Sequence, residues 1–348
     1  MSGRRSPTPA GLYAGPEALA LHREMIVFDC LSLQYQLDPP YVEQALAGGV
    51  TATNMTVATE NETWDTVMQT VETTLEKVAR HPDMVLATTA ADVRAAKRAG
   101  KLAVLMGLQG SESLHKALHR VSLLHRLGVR FIGLAYTGAT LFGDGCGEAR
   151  NAGLTFLGKD FVAAVNDLPM LLDLSHSGHQ TRLEAAELAL HPVCTHSNAY
   201  AVNPNDRNTR DEVAVIVGRK GGVMGVCGLE RSVWPEQPTV EHLVDHAEHY
   251  LRLLGPGHVG IGMDYTAGYQ DSYRAGAPAK QSHKWRTWRP DIFGTLEDFY
   301  TKPYPRGVET IEQLPNLTQA LLDRGHAPDA VADIMGGAWV RCLKGVTE

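Results

Sequence analysis

Eight short apolar runs recur along the chain, and their number limits the folds open to it: Met25 to Asp29, Thr51 to Val57, Leu102 to Leu108, Arg130 to Tyr136, Met170 to Ser175, Pro192 to His196, Gly222 to Cys227 and His258 to Asp264. Segments such as AVLMGL and MLLDL are apolar throughout with little alternation, the pattern of parallel strands covered on both faces. Between the runs lie stretches of helical periodicity, Thr63 to Arg80, Ala90 to Ala99, Lys116 to Leu127, Thr181 to Leu190 and Val240 to Leu254, several opening after Thr or Asn and stopping at Gly or Pro. Strand then helix, repeated to about eight, predicts an α/β fold of the (β/α)8 TIM-barrel type. A smaller strand at Met84 to Ala87 is expected outside the eight. No Ser/Gly/Pro-rich linker divides the sequence, so residues 1–348 read as one domain.

The stretch at about 265–315 breaks the rhythm. It carries Tyr265, Tyr269, Tyr273, Trp285, Trp288, Phe293, Phe299, Tyr300 and Tyr304 without a clean period. It reads either as a surface excursion packing on itself or as a lid or subunit contact beside the last strand's C-terminal end. A final helix is expected at roughly Pro328 to Lys344.

In a barrel, chemistry hangs from the C-terminal ends of the strands. The fifth run ends in Asp173, Ser175 and His176, the sixth in His196 and the eighth in Asp264. Two imidazoles and a carboxylate are the usual set for a catalytic zinc, and Asp264 is expected to bind the metal, to take the proton of its water, or both. Taken alone, each histidine reads more readily as a structural group than as a ligand; the two together with the Asp make the metal reading. His242, His246 and His249 share a helical face but lack the acidic neighbour of an HExxH pattern; with His115, His119 and His125 they read as solvated or packing residues. Arg207, in the polar loop after the His196 run, either clamps a substrate carboxylate or orders its loop by pairing with Asp206 or Asp211.

Lys and Arg total 32 against 39 Asp and Glu, a formal charge of −7 with no basic cluster, which argues against nucleic acid. Nothing approaches the roughly 18 apolar residues of a membrane span, and neither an apolar leader core nor an apolar tail is evident, so a soluble cytoplasmic protein is expected. The five Cys are scattered without a CxxC pair and read as buried small apolar residues.

Nearly end to end, the sequence resembles the membrane (renal-type) dipeptidase family of the amidohydrolase superfamily. The resemblance is carried by Asp173-Leu-Ser-His176, Thr195-His-Ser197, Arg207-Asn208 followed by Asp211-Glu212, Gly260-Ile-Gly-Met-Asp264, Gly153-Leu-Thr with Gly158, and the tail Leu314-Pro-Asn-Leu with Gly336-Gly-Ala-Trp-Val-Arg341. It implies a distorted (β/α)8 barrel of the metal-dependent hydrolase type, a zinc held by His176 and His196, a second served by Asp264, Arg207 on the substrate carboxylate, and a homodimer.

The sequence also departs from the family pattern. Where the family has Asp-Gly-His-x-Asp, this chain reads Asp29-Cys-Leu31-Ser-Leu33, so both metal ligands are apolar; where it has Gly-x-Glu-Gly, this chain has Gln109 in place of the bridging carboxylate. A neutral amide brings no charge to offset the repulsion of two dications. Tyr136 matches a substrate-facing His and is expected to bind substrate. The expectation is a hydrolase of a small amide or dipeptide-like substrate bearing a carboxylate, with zinc or another divalent metal, one per chain, on His176 and His196 and Gln109 as a weak oxygen ligand. Cys146 or Glu148, from the loop after Tyr136, could replace a lost ligand. The alternatives are an enzyme of different small-molecule chemistry, with one metal or none, and a non-catalytic binding protein on the same fold.

Overall fold

The structure is a computed structural model that describes residues 9–60, 62–277, 284–301 and 304–348. The N-terminal residues 1–8, and residues 278–283 and 302–303 of the aromatic-rich stretch, lie outside the described residues. Nine strands are found among those described: β1 (Phe28–Ser32), β2 (Ala52–Ala58), β3 (Met84–Leu86), β4 (Leu102–Leu108), β5 (Val129–Gly133), β6 (Leu171–Asp173), β7 (Pro192–Val193), β8 (Met224–Val226) and β9 (Val259–Ile261). All pair in parallel in the order β7-β6-β5-β4-β2-β1-β9-β8, and β3 adds to β4 off this path, as the sequence implied for the Met84 run.

The two ends of that path meet. Cys194, just past β7, forms a parallel bridge with Met224 of β8; its N–H donates to Val223 O and its carbonyl accepts from the N–H of Gly225. The result is a ring of eight strands, a TIM-like (β/α)8 barrel. Closure needs a near approach of backbones, which glycine supplies: a Cβ at Gly225 or at Gly262 would stand 2.0 Å from the Thr195 carbonyl oxygen.

Helices alternate with strands as their capping signals dictate. Trp64–Arg80 begins at Thr63, whose side chain accepts from the Thr66 N–H, and Ala90–Ala99 begins with a Thr89/Asp92 capping box and stops at left-handed Gly100. Among the described residues no helix is long and apolar enough to cross a membrane.

Every second strand residue points inward and packs there. Phe28, Cys30, Ala52, Ala103, Leu105, Phe131, Leu171 and Val193 form one buried cluster with Trp339 of the C-terminal helix Ala338–Thr347. Trp339 packs against Phe28 and Phe131, each ring centroid 6.2 Å away, and its indole N–H donates to Ile261 O at 3.0 Å. A Cβ at Gly260 would sit 2.3 Å from that indole nitrogen, so the glycine makes its berth. After β9 the aromatic stretch folds as short helices, Ala267–Arg274, Lys284–Trp288, Pro290–Phe293 and Leu296–Thr301, beside the strands' C-terminal ends.

Trp339→Ala empties the centre of the inward-facing cluster and removes a buried hydrogen bond, so it is expected to destabilise the fold by about 3–5 kcal/mol, measured by urea denaturation monitored by circular dichroism.

Candidate active site

The ends of β6 and β7 are joined by Asp173. Its Oδ1 accepts from the Ser175 N–H and hydroxyl and from the Thr195 N–H, and its Oδ2 accepts from the Thr195 hydroxyl at 2.5 Å. Beneath this knot lies Arg182, on the helix His179–Leu188 and 1% exposed. Its Nε donates to Leu174 O, its Nη1 to Asn208 O and the Thr209 hydroxyl, and its Nη2 to Ser175 O and Arg207 O, so all five N–H groups are used on neutral oxygens.

These anchors aim His176 and His196 at each other, Nε2 to Nε2, at 3.0 Å. The tautomer of His196 follows from its neighbour. The single Thr195 hydroxyl proton is spent on Asp173, so Thr195 Oγ1 can only accept from His196 Nδ1, 2.7 Å away. His196 Nδ1 therefore carries the proton and Nε2 presents a lone pair toward His176. Burial, and next the Arg207 charge, hold both histidines well below their ordinary value of 6.5, so both rings are neutral. The ring of Tyr136 stacks on His176 at 4.0 Å between centroids.

His176, Tyr136 and Asp264 share the wall of a cavity of about 100 Å³ with Leu33, Trp285 and Arg286. Asp264 has φ 56°, a left-handed backbone that an aspartate holds only where its surroundings dictate it. They do so from three sides: Met263 N–H donates to Asp29, Tyr304 OH to Asp264 O, and Tyr35 OH to Tyr265 O. Burial raises the Asp264 carboxyl from 3.8 to about 7, against the opposing pull of Arg207 and Arg286. Asp29, fully buried with Oδ2 unpartnered, is likewise raised to about 7 by burial.

Arg207 is 1% exposed, and its Nη1 donates to Ser175 O. Its Nε and Nη2 find no acceptor among the described residues. It does not pair with Asp206 or Asp211, which are taken by Arg289 and His249, so the loop-ordering reading falls. Gln109 is buried at the end of β4 and does not line the cavity. Cys146 and Glu148 face a separate cavity of about 350 Å³ with His179, Arg210 and Arg289, away from the histidine pair. His246 is a buried structural group whose Nδ1 accepts from the Ala199 N–H and whose Nε2 donates to Val233 O.

Reading the sequence missed Arg182, Glu112 and Arg286. Arg182 sits in a helix like any solvated arginine. Glu112 lies on a short turn past β4, accepts from the Tyr136 N–H, and is raised to about 7 by burial. Arg286 belongs to a stretch without a period. Only for Asp29, a polar residue ending an apolar run, was there a signal.

The donor set decides what metal the site fits. Two neutral imidazoles with converging Nε2 atoms and outer nitrogens facing Thr195 and Thr137 are built as metal-binding histidines are. Among the described residues, no group of three His, Cys, Asp or Glu side chains is placed to hold an ion. Leu33 lines the cavity and Leu31 is buried, and neither offers a donor to an ion. The pair thus fits one divalent ion through two nitrogens and does not fit a two-metal centre.

The family model for membrane dipeptidase (peptidase family M19) matches residues 21–274. The dipeptidase tcpJ of Claviceps purpurea is 31% identical over 273 residues, covering 76% of this chain and 56% of that protein, and the dipeptidase aclJ of Aspergillus oryzae is 27% identical over 255 residues, covering 70% and 51%. The chain thus spans about half the length of these curated relatives. A crystal structure of an amidohydrolase from Pseudomonas aeruginosa superposes with a TM-score of 0.82 at 27% identity, over 94% of this chain and 98% of that one.

A carboxyl raised from 3.8 to about 7 in the fold favours the folded state at low pH, and that advantage is lost as pH rises toward 7. Asp264→Asn removes the effect. Relative to wild type, the variant is expected to be more stable at pH 8 than at pH 5 by up to about 2–3 kcal/mol, read from urea denaturation of both proteins at both pH values.

Proposed function

Because the chain belongs to the membrane dipeptidase family, we propose that it hydrolyses the amide bond of a small, dipeptide-like substrate bearing a free carboxylate. The observation that carries this reading is the pair of neutral imidazoles turned on each other beside a buried acid and an arginine with two nitrogens that have no acceptor. Arg207 binds the substrate carboxylate with one N–H from each of those two nitrogens, the edge that bidentate capture uses. Asp264, with its carboxyl near 7, is divided between acid and base forms at neutral pH; it takes the proton of the attacking water and returns it to the leaving amine. Tyr136 lines the same cavity and flanks the bound amide, and the aromatic insert, with Trp285, Phe293 and Phe299 on the wall, excludes bulk water.

One divalent ion, zinc by the chemistry of the donors, would be held by His176 and His196; when bound it would polarise the carbonyl and acidify water. A homodimer working in the cytoplasm completes the reading, with Trp288 on the insert, 62% exposed, available as contact surface. One observation favours a second reading, metal-independent chemistry on a small carboxylate: the histidine pair is also complete as a hydrogen bond, His176 donating to the His196 lone pair.

Elemental analysis of protein purified without chelators is expected to find about one ion per chain, absent from the His176→Ala/His196→Ala variant. His176→Ala is expected to lower dipeptide turnover by more than the roughly 10- to 100-fold that loss of an outer-shell partner causes. Wild-type protein that binds no zinc or manganese and cleaves no dipeptide would overturn the hydrolase reading in favour of the second.

A further inference from the structure

The cavity faces a second guanidinium that the hydrolase reading does not use. Arg286, on the insert helix Lys284–Trp288, is 6% exposed and lines the wall with His176 and Asp264. Its internal partners occupy one nitrogen: Nη1 meets Glu230 Oε1 at 3.4 Å and donates to Phe293 O, while the guanidinium stacks on the Phe299 ring at 4.4 Å. No acceptor is found for its Nε and Nη2 among the described residues. Asp298 stands nearby as well, but the direct ionic contact, at 3.4 Å, uses Nη1 alone.

Asp264 is the one carboxylate among the described residues that line this cavity. Arg207 and Arg286 both act on Asp264, and Arg182 adds a third guanidinium that is bound only to neutral oxygens. His176 and His196 are neutral, and the other nearby carboxylates are bonded elsewhere: Glu230 to Arg286 Nη1, Glu60 to the Trp285 indole N–H, Glu112 to the Tyr136 N–H, Asp29 to the Met263 N–H and Asp173 to Ser175 and Thr195. Arg207 lies behind the cavity wall, close enough to act on Asp264, so a ligand whose one carboxylate reached Arg207 would leave Arg286 with open donors on the wall. We propose that the substrate carries a second carboxylate, as an amide or dipeptide of an acidic amino acid does, and that Arg286 is the residue that selects it. Phe299 holds the guanidinium plane and Phe293 its Nη1, so the remaining edge is presented to the cavity. The proposal rests on Arg207 taking the first carboxylate.

The test compares two ligands of one shape that differ by one charge, N-acetylglutamate and N-acetylglutamine, titrated calorimetrically into the full chain. A hydrogen-bonded charge of this kind corresponds to about 10- to 100-fold in affinity, so wild type is expected to bind the glutamate compound at least tenfold more tightly. Arg286→Gln is expected to bring the ratio to within about twofold of unity, Arg286→Lys to keep part of the preference, and Arg207→Gln to weaken both compounds together. Equal binding by wild type, or a preference that survives in Arg286→Gln, overturns the proposal. If Arg286→Gln does not fold, the wild-type ratio and its change in Arg286→Lys decide. Failure to bind either compound, in protein that still cleaves neutral dipeptides, defeats the second carboxylate alone; failure with both compounds and with every dipeptide defeats the hydrolase reading as well.

Discussion

The geometry of the site depends on one buried cation bonded to neutral oxygens. Arg182 donates to oxygens at the end of β6 and in the loop that carries Arg207, and no carboxylate takes part. Two consequences follow from the same five bonds. Ser175 O and Arg207 O are fixed to each other through a planar fork, so the histidine after Ser175 and the guanidinium of Arg207 keep one relative placement. The charge is also left unneutralised, and it adds to burial and to Arg207, the larger causes, in holding the two histidines in the neutral form that a metal or a ring-to-ring hydrogen bond requires.

Asp264 is held in a similar way, by bonds to its backbone neighbours rather than to its side chain. A left-handed aspartate costs about 1–3 kcal/mol, and the clamps on Met263 N, Asp264 O and Tyr265 O supply the restraint that lets it persist. The carboxyl itself is thereby left free of hydrogen bonds from its own loop. Burial then dominates its ionisation, and a group that would be a spectator anion at neutral pH becomes one that exchanges a proton there. Backbone strain and pKa are two results of one arrangement.

How much of this was legible in the sequence depended on whether the signal was periodic. Each of the eight apolar runs overlaps a strand and the Met84 run lies off the ring, because inward and outward residues are both buried and leave uninterrupted hydrophobic stretches. The boundaries moved where the ladder is thin: β7 keeps two residues, and the rest of the Pro192 run, through His196, is a loop held by Asp173 and by single bridges. The strand-end rule led to Asp173, His176, His196 and Asp264 because a polar residue that stops an apolar run has few other reasons to be there. It offered nothing for Arg182 or Arg286, whose neighbours come from distant loops. The two readings of Arg207 could be separated only once Asp206 and Asp211 were seen to be taken by Arg289 and His249. The insert was ambiguous for the same reason: only its folded position puts Trp285, Phe293 and Phe299 on the cavity wall and Trp288 on the surface.

Charge balance links the departures from the family pattern to the site that remains. Leu33 and Gln109 stand where that pattern has two carboxylates, so two negative charges are gone, and Leu31 removes a neutral nitrogen donor beside them. Two negative charges are the complement of one divalent cation. A chain that lost the carboxylates but kept both ions would hold an uncompensated +2 in a cavity already flanked by Arg182, Arg207 and Arg286, which the low dielectric of a buried site does not permit. Losing one ion with them leaves the local sum where it was, and the His176–His196 half can persist with its orientation intact. On the proposed one-ion reading the apolar residues are a consistent set: Leu31 is buried and Leu33 lines the cavity, and neither needs a polar partner.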